Sequence, residues 1–287
     1  MAESSLGGRG AAVSPGARLR PRLSRTLATA RWREYERLLD TALEHGYRVI
    51  GVEEWVGDDE AGDDEAPLLA LRHDVDQHPR SVLPMAAIER DLGLRSAWYF
   101  RWRTADQEVM RRLREDGSTI GLHYETLSRL ALERDATTTE AIDALLPEAR
   151  DILSGEIATF VRLHGPVRSV CPHGDSRIPS ARNASLVQDR NPAEFGVEFD
   201  VNEAMRGRRL ARWLTDRSRA EGSWAEGADA HDLLAARVSP ILCVVHPNNW
   251  TSGPSLWLDR LLSTALPSGH SKRPRRPLRT GIDAPPV

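Results

Sequence analysis

The chain has 287 residues, 40% of them hydrophobic and 28% charged, a composition ordinary for a globular protein and a length that suits one or two domains or a single α/β barrel. Its two cysteines, Cys171 and Cys243, are too few for a disulfide framework or a Cys-based zinc site, and its one lysine, Lys272, sits in a Pro- and Arg-rich tail, which removes P-loop and Schiff-base chemistry. The net charge of −3 hides a split, because residues 1–31 carry six Arg against one Glu and residues 267–287 five Lys/Arg against one Asp, leaving an acidic body that argues against a nucleic-acid groove.

Residues 1–30 contain Arg but no apolar h-region, so no secretory signal is expected and the cytoplasm is the predicted location. Together with residues 267–287 they read as disordered basic tails around one domain spanning 31–266. Trp32 to Glu44 repeats apolar residues at helical spacing and stops at His45-Gly46. A short strand follows at Tyr47–Val52, then an acidic loop over 58–65.

Leu68-Leu69-Ala70-Leu71 is an apolar run without alternation, as in a strand covered on both faces, and it breaks into Arg72-His73-Asp74-Val75-Asp76. A helix is predicted from Pro79 to Leu92, a strand at Ser96–Arg101, a helix at Asp106–Glu115 and a strand at Ser118–Leu122 ending in His123-Tyr124-Glu125. Thr137 to His164 reads as one long or two shorter helices, with a break near Gly155. A strand at Val167–Val170 ends in Cys171-Pro172-His173-Gly174-Asp175. Short strands are expected at Gly196–Val201 and Arg212–Thr215. Ile241–Val245 is a further strand, ending in His246-Pro247, and a last helix is expected over Ser255–Ala265. No apolar run reaches the roughly 18 residues of a membrane span.

Strands alternating with helices predict an α/β fold with about seven parallel strands in a distorted or incomplete (β/α) barrel. In such a barrel the carboxyl ends of the strands share one rim, so the four polar tips at Asp74/Asp76, His123, His173 and His246 would form one site from distant segments. Imidazole plus carboxylate is a ligand set for zinc or another divalent metal, which lowers the pKa of water and polarises a carbonyl. A carboxylate off the metal can take a proton from water, and a His opposite can protonate a leaving nitrogen. Each tip also has a bland reading: Asp74 and Asp76 as caps of the next helix, His173 as a turn residue, His123 and His246 as satisfied core histidines. Four such readings would all have to fall on strand tips.

The same residues carry a resemblance. Leu71-Arg72-His73-Asp74-Val75-Asp76 with its Pro79 helix, Ala97-Trp98-Tyr99-Phe100-Arg101, Ile120-Gly121-Leu122-His123-Tyr124-Glu125, Cys171-Pro172-His173-Gly174 and Val245-His246-Pro247 together resemble the polysaccharide deacetylase (NodB-homology, carbohydrate esterase 4-like) superfamily over roughly residues 30–262. The resemblance implies a distorted barrel that hydrolyses N-acetyl or related amides with a divalent metal, zinc first, with manganese or cobalt as alternatives. It implies Asp74 as general base, Asp76 and His123 as metal ligands and His246 as general acid. The family's second motif has another His four residues on, where this chain has Leu127. Glu125 or His173 would have to complete the site, and His173, on a different tip, is preferred. Otherwise metal binding is lost.

Tyr124 and Trp250 flank two tips and are candidates to stack on a sugar, and Arg72 and Arg101 either bind an anionic substrate group or hold Asp74 in place. The expected partner is a small or oligomeric carbohydrate, with no nucleic acid and no membrane span. The competing expectations are a metal-independent amidohydrolase acting on a non-sugar C–N bond and an inactive barrel that binds a glycan or a protein.

Overall fold

The structure, a computed structural model, describes residues 30–57, 66–216, 224 and 229–251. The basic tails, the acidic loop over 58–65 and the helix expected at Ser255–Ala265 lie outside the described residues.

In chain order the elements are α1 (Trp32–Glu44), β1 (Arg48–Gly51), α2 (Val52–Gly57), β2 (Leu68–Val75), α3 (Val82–Asp91), β3 (Ala97–Phe100), α4 (Gln107–Glu115), β4 (Thr119–Tyr124), α5 (Thr126–Glu133), α6 (Thr139–Asp143), α7 (Leu146–His164), β5 (Ser169–Pro172), β6 (Phe199–Asp200), α8 (Val201–Arg206), β7 (Arg212–Thr215), α9 (Ala230–Ala235) and β8 (Ile241–Val245). Every ladder is parallel, in the order β6-β5-β4-β3-β2-β8-β7. β1 adds to the first half of β2, pairing Arg48 with Leu68 through Gly51 with Leu71, while β3 takes the second half from Arg72 to Val75. The sheet is thus a curled half-barrel of seven strands with an eighth joined to β2, its seam lying between β6 and β7.

Successive residues of a strand face opposite sides, and here the two sides become two cores. The outer core packs Leu69, Leu71, Val75, Trp98, Phe100, Leu122 and Val245 against the helices, including Leu38, Leu113 and Phe160. The inner core, inside the curl, holds Leu68, Ala70, Ala97, Tyr99, Cys171, Leu242 and Val244. Each fully buried Leu, Phe or Val of this kind contributes about 1.5–3 kcal/mol by leaving water. Gly121 lies on the inner side of β4, where any side chain would run into the Tyr99 ring, so Tyr99 can lie across the interior as its floor.

Several boundaries differ from the sequence reading. The 139–164 region breaks at Ala144-Leu145, and α7 runs unbroken through Gly155. Helix α3 begins after a 3₁₀ turn at Pro79–Ser81. The strand expected at Gly196–Val201 shrinks to Phe199–Asp200, because Asp200 turns its carboxylate to accept the Glu203 N–H and starts α8. Helix α5, whose Leu127, Leu130 and Ala131 enter the outer core, is an element the sequence reading lacked.

Candidate active site

On β2, β3 and β8 the inner face runs from apolar residues at the start of the strand to polar ones at its tip. On β2 the inward row is Leu68, Ala70, Arg72, Asp74 and then Asp76. The same alternation directs Arg101 after β3, His123 on β4, His173 after β5 and His246 after β8. One open cleft of about 260 Å³ is lined by Arg72, Asp74, Asp76, His123, His173 and His246, among others. That is just below the roughly 300–1,000 Å³ usual for ligand sites.

Asp74 is 3% exposed and held by Arg72 through two parallel contacts, Nε to Oδ1 at 2.8 Å and Nη2 to Oδ2 at 2.5 Å. The third guanidinium nitrogen, Nη1, donates to Asn202 Oδ1 at 2.9 Å, from the first turn of α8. Burial works to raise the Asp74 pKa, but Arg72 and then His123 outweigh it and hold the carboxyl well below the usual range. No carboxylate of Asp74 or Asp76 caps the helix that follows, so the capping reading fails.

Asp76, His123 and His173 converge. His123 Nε2 stands 3.6 Å from Asp76 Oδ1, and His173 Nε2 stands 3.4 Å from the same oxygen. One donor atom from each of the three falls within 4.8 Å of the others. His123 Nδ1 lies 3.0 Å from the Cys171 carbonyl, which requires its proton on that nitrogen and leaves the Nε2 lone pair facing Asp76. Burial, which outweighs the attraction of Asp74 and Asp76, pulls the His123 pKa to about 4, so the ring is neutral, as a ligand must be. Asp76 resists burial through His173 and His123 and stays ionised, with a pKa of about 2. Its Oδ1 is buried without a hydrogen-bond partner. Two imidazole nitrogens and a carboxylate oxygen without a hydrogen-bond partner, converging on one point, fit a divalent cation.

Glu125 does not join this group, because Arg101, 4% exposed, pairs with its Oε2. Leu127, at the position of the family's second His, is buried in the outer core. Both candidate arginines are therefore engaged with carboxylates, Arg72 with Asp74 and Arg101 with Glu125.

His246 Nε2 lies 3.9 Å from Asp74 Oδ2. Its Nδ1 is 2.6 Å from Asp216 Oδ1, and its backbone N–H donates to both oxygens of the same carboxylate. Burial lowers the His246 pKa, yet Asp216 more than reverses this and lifts it to about 9. The Trp250 indole Nε1–H donates to Asp216 Oδ2 at 2.7 Å.

Two aromatic expectations need correction. Tyr124 has the opposite alternation to His123, so it is buried in the outer core and gives its hydroxyl to Asp200 Oδ2 at 2.9 Å. Trp250 is 3% exposed, with Tyr35 and Trp224 against its ring, and offers no face to a sugar. His73 likewise turns outward, stacks on Trp98 at 3.7 Å between ring centroids and meets Glu89 Oε1 at 2.7 Å. The sequence reading missed Asp216 and the exposed Trp213, both on or just after β7. The signal was there: Leu214-Thr215-Asp216 is another strand ending in an acid, hidden by its shortness and the arginines around it.

Among the described residues no helix is long and apolar enough to cross a membrane. No family model matches the chain, and no curated protein matches it. Solved structures do. The chain is similar to a family 4 carbohydrate esterase from Streptomyces lividans in complex with acetate, at 13% identity and a TM-score of 0.37, over 69% of this chain and 89% of that one. It is similar to a family 4 carbohydrate esterase from Bacillus anthracis, at 13% identity and a TM-score of 0.36, over 79% and 85% of the two chains. It is also similar to a family 4 pseudoenzyme from Bacillus anthracis, at 11% identity and a TM-score of 0.35, over 71% of this chain, and it spans 62% of that protein's length. The solved structures that this chain is similar to thus include esterases of carbohydrate esterase family 4 and a pseudoenzyme of that family.

Proposed function

We propose that the chain is a metal-dependent hydrolase that removes an N-acyl group, acetyl foremost, from a carbohydrate-type substrate. The observation that carries the reading is the convergence of Asp76, His123 and His173 donor atoms beside an ionised Asp74, whose Oδ2 stands 3.9 Å from the carboxylate-held His246. Asp76, His123 and His173 would hold the ion. Zinc suits two imidazoles and a carboxylate with positions left open, and manganese or cobalt would serve in its place. Such an ion acidifies water and polarises the acyl carbonyl.

The protein's own groups then divide the proton work. Arg72 keeps Asp74 ionised and fixes its orientation, so its carboxylate can take the proton of the attacking water. A carboxylate with so low a pKa is a weak base by itself and acts on water already acidified within the site. His246, held protonated at neutral pH by Asp216, gives its proton from Nε2 to the nitrogen that departs, and Asp216 then stabilises the charge state it has to regain. The cleft would take an acylated sugar unit of a small or oligomeric substrate.

The test is metal analysis of the purified protein together with acetate release from a panel of N-acetylated sugars. Near-stoichiometric metal and acetate release that both disappear in His123→Ala are expected. A protein that takes up no zinc, manganese or cobalt, or binds sugar without ever releasing acetate, would replace this reading with a metal-free amidase or a glycan-binding barrel.

A further inference from the structure

Among the described residues that line the cleft, Trp213 is the one large apolar side chain, and it is 37% exposed. It sits on β7, paired in register with Leu242 of β8, so it and Thr215 face the cleft while Leu214 enters the outer core. The Arg72 guanidinium carbon lies 5.8 Å from the centre of its ring, within the range of a cation–π contact. Arg72 is itself fixed by Asp74 and Asn202. The indole is thereby held beside a buried cation while part of it stays exposed.

An exposed, oriented indole among carboxylates and imidazoles needs a ligand with two kinds of surface. It must offer an apolar face to the ring and polar groups to the rest of the lining. A pyranose has that form, with axial C–H groups on one face and hydroxyls at its edge. Trp213 also lies one inward step below Thr215 along β7, roughly 7 Å by strand geometry, and Thr215 pairs with Val244, two residues before His246. A sugar ring resting on Trp213 would lie beside the seam of the half-barrel, in the same cleft that Asp74 and His246 line.

We infer that Trp213 is the stacking platform for the sugar ring that bears the acyl group, making the cleft selective for acylated pyranosides over open-chain amides. This rests on the hydrolase reading for the acyl group but not for the binding of the ring. The probes are the methyl glycosides of N-acetylglucosamine, N-acetylgalactosamine and N-acetylmannosamine, titrated calorimetrically into the Asp74→Asn protein with and without a second change at Trp213. Saturation-transfer NMR on the same samples reads which sugar protons approach the protein.

At least one glycoside should bind. Trp213→Ala should weaken it about tenfold and Trp213→Phe by no more than about threefold. Saturation should concentrate on the axial ring protons and fade in Trp213→Ala, with melting curves certifying the fold of both variants. A glycoside that binds equally well to Trp213→Ala overturns the platform, and so does binding by none of the three. If Trp213→Ala behaves as expected and no acyl sugar is ever hydrolysed, the platform stands and the hydrolase reading falls. If acetate is released while Trp213→Ala leaves binding intact, the reverse holds.

Discussion

Arg72 and Asp74, two residues apart on the inward side of β2, form a forked ion pair at 2.8 and 2.5 Å with side chains only 5% and 4% exposed. A buried carboxylate stripped of its partner costs far more than the pair contributes when intact, so Arg72→Met should destabilise the protein by about 3–5 kcal/mol. Arg72→Lys should recover little of this, because a point charge cannot match the fork or keep Asn202. Urea denaturation at neutral pH measures both. A loss under about 1 kcal/mol in Arg72→Met would mean that water reaches Asp74 and that its ionisation does not depend on Arg72.

His246 makes stability depend on pH in a defined direction. Its folded pKa, about 9, exceeds the ordinary value of 6.5, so the stabilisation it receives from Asp216 is complete below about pH 6.5 and is lost as the pH rises toward 9. The shift amounts to about 3 kcal/mol at most, and less to the extent that water screens the ring. Metal-free wild type should lose stability relative to His246→Gln between pH 6.5 and pH 9.5, and the two should run parallel below that window. Urea midpoints across the range decide it. Parallel curves throughout would show that Asp216 does not hold the imidazolium.

The same alternation explains what was legible in the sequence. Apolar runs that stop abruptly at Asp74, His123, His173 and His246 mark strand tips, and tips of parallel strands share a rim, so the gathering of these residues in one cleft could be read without coordinates. Tyr124 was misplaced because adjacency in sequence is opposition in a strand: next to an inward His123, it must face outward. Trp250 comes after the 3₁₀ turn Pro247–Asn249, where alternation no longer carries, and only tertiary packing puts its indole on Asp216. The strand Arg212–Thr215 was legible, but with four residues flanked by arginines it did not show which of them face inward, so Trp213 and the Asp216 that follows its tip went unmarked. Helices α8 and α9, six residues each, are likewise below the length at which periodicity separates helix from loop.

His173 and Glu125 compete for the role of third ligand, and the structure pairs Glu125 with Arg101. His123→Ala, His173→Ala and Asp76→Asn should each lose metal, by about tenfold or more in affinity, whereas Glu125→Gln and Asp74→Asn should retain it. Asp74→Asn should nonetheless abolish turnover. Metal content after dialysis against a weak chelator, measured alongside acetate release, separates the two groups. Full metal in His173→Ala with none in Glu125→Gln would reverse the ligand assignment, and metal lost in Asp74→Asn would make Asp74 a ligand in place of a base.

Trp250 touches Asp216, and Asp216 touches His246, so Trp250 acts on the proton donor at one remove. Trp250→Phe keeps the ring packed against Tyr35 but removes the Nε1 donor, leaving Asp216 Oδ2 with the backbone N–H of His246 as its remaining partner among these bonds. Loss of one hydrogen bond to a buried carboxylate is worth about 1–3 kcal/mol. It should loosen the His246 ring and lower kcat about tenfold, while KM for an acylated sugar changes by less than about twofold. A residue that stacked on the sugar would show the opposite split, with KM raised and kcat kept. Steady-state kinetics of Trp250→Phe beside Trp213→Phe and Trp213→Ala therefore distinguishes the two tryptophans: a rise in KM in Trp250→Phe alone would return Trp250 to the substrate surface and remove it from the support of His246.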